Sequence, residues 1–418
     1  MARSGECKMD NIDSTVIQST MLRRMFVFFL WMSLSVVILA FPDGRMAIVY
    51  CVATFLYMGY FVVEKSSVHM MYYLGFSTFI FLPAMLNWYY LGFGLELFVL
   101  TSLVSFYFLE LTKNTVVKSF VDYGASLRVL FYCLSVVVVT LVFFRLGSMV
   151  GAIFPLYLIV FSLSLRDGFC ISNFMVFLCF VVTYLLYLVL TWNGFGRVVV
   201  VGWFVLAGLY YAWSIGFQIN KYIFSLIPGL GASFFTSREI MNLKFNGFES
   251  ALTDSAYAPY RLASTFIDHF DRRGIDFSGY FDQVIFTLFV FVPRNIWPEK
   301  PYGFGFEYTT MFYSQGMIDS GHSIASTLIG DHIFYLGYFG VSVSLIVLTA
   351  IAFAINHLYR LKLLNGNAVI LASASMMVFV WGGMTSFSAR IALPAIVFIC
   401  FYVIFRIIFT ESVDESYE

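Results

Sequence analysis

Charge is what this chain has least of. Asp, Glu, Lys and Arg make up 11% of its 418 residues, against about 25% in an ordinary soluble domain. The 24 basic and 24 acidic residues cancel, which excludes the excess of positive charge that nucleic-acid binding needs. Metal-ligand patterns are missing too: there is no D-x-D, no CxxC and no Cys/His spacing. Five of the six cysteines (Cys7, Cys51, Cys133, Cys170, Cys179 and Cys400) lie in or beside apolar runs. They read as small hydrophobes rather than a zinc site or a disulfide framework. No A-x-A site follows the first apolar run, and residues 1–25 before it are mostly polar, so that run reads as a retained helix, not a cleaved signal. Internal repeats, low-complexity tracts and the paired helix breaks of a secondary transporter are also missing.

What remains is apolar and aromatic: 61% hydrophobic, 20% Phe, Trp and Tyr, with a mean hydropathy of +0.86. That is the composition of an all-α polytopic membrane protein. With about 20 apolar residues needed per crossing, helices are expected near 25–42, 46–63, 70–90, 94–111, 129–145, 149–165, 170–192 and 198–217. Three more are expected near 333–356, 367–386 and 391–409. A shorter segment, 222–236, is interrupted by Pro228 and Gly229. Counting it gives twelve helices, with Arg23, Arg24, Arg360 and Lys362 on the cytoplasmic side, as the positive-inside rule favours. The expected organisation is a nine-helix bundle over 1–236, a large outer loop over 237–331, three helices over 332–410 and an acidic tail over 411–418.

The outer loop holds seven basic and eleven acidic residues, and His269 and His322 with His332 just beyond. Loops of this length usually bind or catalyse. Its apolar run, 283–293, is too short to span and is expected to lie in the interface or re-enter beside the bundle. The run ends in "VPRNIWPEKP" (292–301). Pro293 would stop the helix, Trp297 suits the headgroup level, and Arg294 and Lys300 would lie at the depth of lipid phosphates. An interfacial anchor with two snorkelling bases accounts for the same residue types.

The stretch Pro293, Arg294, Trp297, Pro298, Lys300, Pro301 resembles the "PR-x-x-W-P-x-K-P" of many O-antigen polymerases, the Wzy-type oligosaccharide repeat-unit polymerases. So does "GHSIASTLIGDHIFYLGYFGV", with Gly330, Asp331, Gly337 and Gly340 in the family's places, although aspartate stands where glutamate is frequent. "YRLASTFIDHF" (260–270), the "GY" at 279–280 and "NGFGR" (193–197) fit more loosely. The likeness covers roughly residues 255–345. An Arg-x10-Gly pattern, met at Arg197 and Arg294, recurs here about as often as chance predicts.

The resemblance implies a GT-C-like membrane glycosyltransferase that joins repeat units carried on undecaprenyl pyrophosphate at the outer face of the inner membrane. It also implies a polysaccharide chain-length regulator as partner, beside the membrane lipids. Charge builds on the leaving pyrophosphate as the glycosidic bond breaks, and the planar guanidinium of arginine suits it. Arg294, Arg197, Arg261 and Lys300 are the expected pyrophosphate contacts, with Trp297 positioning the substrate. The acceptor hydroxyl needs a base, for which His322, Asp331 and Asp268 are the candidates. No cofactor and no metal are expected. An O-antigen ligase and a lipid-linked oligosaccharide flippase are the alternative readings.

Overall fold

The structure is a computed structural model that describes residues 14–117, 120, 125–191, 197–226, 258–312, 325–360 and 369–410. At 14–21, 90, 148, 197, 268–273, 311–312, 393 and 401–410 the backbone alone is described. Among the described residues there are helices and no strands. In chain order these are α1 (Ser14–Ala40), α2 (Gly44–Phe61), α3 (Ser67–Phe76), α4 (Leu82–Leu91), α5 (Leu95–Leu111), α6 (Ala125–Phe143), α7 (Gly147–Ser164), α8 (Ile171–Leu190) and α9 (Arg197–Ser214). Then follow α10 (Ala258–Arg273), α11 (Phe277–Leu288), α12 (Phe304–Phe312), α13 (Gly330–Leu336), α14 (Phe339–Arg360) and α15 (Val369–Thr410).

Among the described residues seven helical stretches are long and apolar enough to cross a membrane: Leu22–Ala40, Gly44–Phe61, Ser67–Tyr89, Ala125–Phe143, Ile171–Leu190, Phe339–Arg360 and Val369–Cys400. Met149–Ser164 and Val198–Ser214 are shorter apolar helices. The chain is therefore an all-helical membrane protein with several crossings, each close to a run expected from hydropathy. Two expectations change. Residues 221–226 are helical and the rest of 222–236 lies outside the described residues. The turn expected between 386 and 391 is helix, and α15 is instead broken at Gly383, where φ is 68° and ψ −162°. The polar run at 386–390 suggested a loop, but a helix in a bundle can bury serines by bonding them internally; the Gly382–Gly383 pair is the weak point.

Helices α3 and α15 form the centre, with α15 packed on α3, α7 and α9. A π-helical turn, Ser77–Phe81, joins α3 to α4. Buried hydroxyls tie the centre together: Ser67 Oγ lies 2.8 Å from Ser373 Oγ and accepts from Tyr210 at 3.2 Å. His69 accepts from the Val63 N–H through Nδ1 and meets Thr112 Oγ1 at 3.0 Å through Nε2. Such interhelical bonds substitute for the hydrophobic drive that lipid removes. Aromatic rings fill the rest, as where Phe154 stacks on Trp203 with centroids 4.6 Å apart.

Candidate functional site

Helices α10 to α12 and the intervening "VPRNIWPEKP" segment belong to the expected outer loop, α13 straddles its end at 331, and together they pack as one cluster against α4, α5 and the break in α15. Helix α11 is its spine. Asp276 caps its start by accepting from the Gly279 N–H at 2.9 Å. The helix ends at Leu288, five residues before Pro293, so the proline does not terminate it as expected. The carbonyls of Val290 and Val292, in the turn past its end, instead accept from the Lys300 ammonium at 2.9 and 3.0 Å.

The same segment folds around Arg294. Its guanidinium donates to the carbonyls of Lys300 at 2.6 Å and Pro301 at 3.0 Å. It also stacks over the Tyr302 ring, 3.9 Å from the centroid. Arg294 is half-buried and Lys300 is buried. Burial and the nearby Arg294 charge both push the Lys300 ammonium below its ordinary range. Of the five guanidinium N–H donors two are taken, and of the three ammonium donors two. The two cations are thus held by carbonyls, with no carboxylate paired to either among the described residues. Trp297 is half-buried and meets Phe289 edge to face at 6.0 Å.

Asp331 lies elsewhere. It is 1% exposed, on the first turn of the short helix α13. Its carboxylate is wedged against the break in α15: a Cβ added to Gly383 would lie 2.9 and 3.1 Å from the two carboxylate oxygens. Thr327 completes the cover, donating its N–H to the Trp381 carbonyl at 3.0 Å. Its φ of 69° is a strained value for a β-branched residue. Burial raises the Asp331 carboxyl above its ordinary range, while His332 and the backbone N–H groups of His332 and Met384 act against the rise.

Beside it stands a residue the sequence reading passed over as a candidate. His332 Nε2 is 3.8 Å from Asp331 Oδ1, and its Nδ1 lies 2.9 Å from the Tyr280 hydroxyl. Tyr335, next along α13, bonds Glu307 of α12 and accepts from the Asp276 N–H through its carbonyl at 2.8 Å. Gly340 lets α14 begin directly on this turn, since a Cβ there would lie 2.3 Å from the His332 carbonyl. A carboxylate, an imidazole and a phenol in series can accept and pass a proton in a water-poor place. The pairing of residues 280 and 332 could not be read from spacing; only the tyrosine of the "GY" pair hinted at it.

The predicted residues thus separate. Arg294 and Lys300 meet at one end of α11, where Lys300 sits 5.0 Å over the Phe286 ring. Asp331 joins the other end through His332 and Tyr280. The rise along α11 from 280 to 286 is roughly 9 Å. Arg261 lies on the exposed side of α10. Arg197 begins α9 and Asp268 lies within α10, both with side chains outside the described residues; His322 lies outside them entirely. Among the described residues no group of three metal-ligating side chains forms. Compared with protein-family models, with curated proteins and with solved structures, the chain matches none, so its own geometry carries the functional reading.

Proposed function

We propose that this protein polymerises undecaprenyl-pyrophosphate-linked oligosaccharide units into a surface polysaccharide such as O-antigen, at the periplasmic face of the bacterial inner membrane. The observation that carries the reading is the placement of two preorganised cations at one end of helix α11 and a buried Asp–His–Tyr series at the other.

In the reaction, an acceptor sugar hydroxyl attacks the anomeric carbon of the donor chain. The bond from that carbon to the pyrophosphate oxygen breaks, and the lipid pyrophosphate leaves with the electron pair. Its charge falls on the remaining donors of Arg294 and Lys300, which carbonyls hold in place before substrate arrives. The acceptor's proton passes to the Asp331–His332 pair. The family resemblance at 293–301 and 330–340 supports the same chemistry.

The deciding experiment is deletion of the gene followed by gel analysis of the surface polysaccharide, complemented with wild type and with Arg294→Ala. Core bearing a single repeat unit, restored to a ladder by wild type alone, is the expected result. Core bearing nothing would transfer the protein to ligation or flipping, and an unchanged ladder would remove it from polysaccharide assembly.

A further inference from the structure

Helix α11 is inside out. Its buried residues are Gln283 and Thr287, 4% and 8% exposed, whereas Phe277, Phe281 and Leu288 are 64%, 63% and 61% exposed. An apolar outer face suits lipid, but it leaves a polar seam where α11 packs on α15. Within that seam two groups find no hydrogen-bond partner among the described residues: Gln283 Nε2 and Thr385 Oγ1.

Both have a physical origin. Gln283 Oε1 accepts from the Phe304 N–H at 2.6 Å, which fixes the orientation of the amide and turns its donor end away. A helical threonine ordinarily bonds the carbonyl four residues back. For Thr385 that carbonyl belongs to Trp381, which lies before the Gly383 break and already accepts from Thr327. The two unpartnered groups flank the Gly303–Phe304 peptide. A Cβ on Gly303 would lie 2.7 Å from Phe286 Cε1 and 3.0 Å from Thr385 Cγ2. Lys300 sits over the same Phe286 ring.

Buried polar groups without partners cost stability, and here two of them face one seam beside the cation pair. We propose that the seam is the subsite for the sugar bonded to the lipid pyrophosphate. The Gln283 amide donates to a sugar oxygen, the Thr385 hydroxyl pairs with a sugar hydroxyl, and Phe286 offers its ring to the apolar face. The assignment rests on the proposed function for the identity of its ligand. An outward shift of α11, whose far face is exposed among the described residues, would open the seam.

The test uses the full chain purified in detergent. The probe is undecaprenyl-pyrophosphate-linked repeat unit extracted from cells lacking this protein, and binding is read from thermal stabilisation against probe concentration. Thr385→Val removes the hydroxyl alone, and Gln283→Glu keeps the oxygen that Phe304 needs while removing the amide donors. Thr385→Val should unfold, without probe, no lower than wild type, and each variant should bind the probe about two- to tenfold more weakly. Undecaprenyl pyrophosphate without sugar should bind all three alike. Unchanged affinity, an unliganded Tm of Thr385→Val below wild type, or an equal loss with the sugar-free lipid would each overturn the subsite. Because binding is read apart from turnover, a wild type that binds but does not polymerise would sink the polymerase reading and leave the seam standing. A wild type that fails to bind the probe would sink both.

Discussion

Replacing Gly383 by alanine probes the break in α15 more sharply than any other single change. Its φ of 68° and ψ of −162° fall in a region used almost only by glycine, where another residue costs about 1–3 kcal/mol. The new Cβ would also stand 2.8 Å from the Thr327 carbonyl oxygen and 2.9 Å from an Asp331 oxygen. Both belong to the buried segment 325–336, so relief means lifting that segment off α15, an overpacking cost of about 1–3 kcal/mol. The total, about 2–6 kcal/mol, is a large share of the 5–15 kcal/mol that holds a typical domain together.

Thermal unfolding of the purified protein, at one scan rate because such unfolding is commonly irreversible, gives the readout. Gly208→Ala serves as the control: it lies in α9 with nothing within 4 Å of its added Cβ, and alanine there should gain about 0.5–1 kcal/mol. The expected result is a Tm lowered by many degrees for Gly383→Ala and unchanged or raised for Gly208→Ala. A Gly383→Ala protein that unfolds with wild type would mean that Asp331 and Thr327 are not wedged into the break.

Two further predictions concern the charged groups. Arg294→Lys keeps the charge but cannot span the Lys300 and Pro301 carbonyls while stacking on Tyr302; polymer length on a gel should fall nearly as far as with Arg294→Ala, and a normal ladder would show that charge alone suffices. Asp331 has a carboxyl raised above its ordinary 3.8, so its neutral form favours the folded state. That contribution is complete below 3.8 and is lost as pH rises through the folded value. Asp331→Asn should therefore flatten the dependence of Tm on pH above 3.8 while abolishing polymer, and an unaltered pH profile would contradict the burial of a titrating acid.

The place of the apolar helices was legible because lipid imposes a length and a composition that hydropathy reports directly; of the twelve crossings expected, seven among the described residues are long and apolar enough to span. Within the outer loop the residues that stand out by type, Arg294 and Lys300, do share one place. Their engagement with carbonyls was not legible, since any residue can offer a carbonyl and composition does not mark which one does. Asp276 followed three residues later by Gly279 was a readable helix start. Helix α11 starts at Phe277, ahead of the apolar run at 283, and ends at Leu288, ahead of Pro293, because neither the run nor the proline sets its ends. The ammonium of Lys300 caps the turn past Leu288 from twelve residues downstream. His332 escaped notice because its partner, Tyr280, lies 52 residues away in the chain. The Gly382–Gly383 pair inside an apolar run was the available sign of the break.

That break also fixes depth. Residues 369–382 rise about 21 Å, short of the roughly 30 Å of hydrocarbon in a bilayer. Exposed backbone is not tolerated against acyl chains at that level, and here the covering material is residues 325–336. We predict from this that the segment that carries Asp331 is sunk into the membrane rather than perched above it, plugging a notch in the bundle. Water-soluble reagents such as a charged carbodiimide should leave Asp331 untouched, while a lipid-soluble carbodiimide should reach it. That outcome would make the way in for any substrate that reacts there sideways from the bilayer.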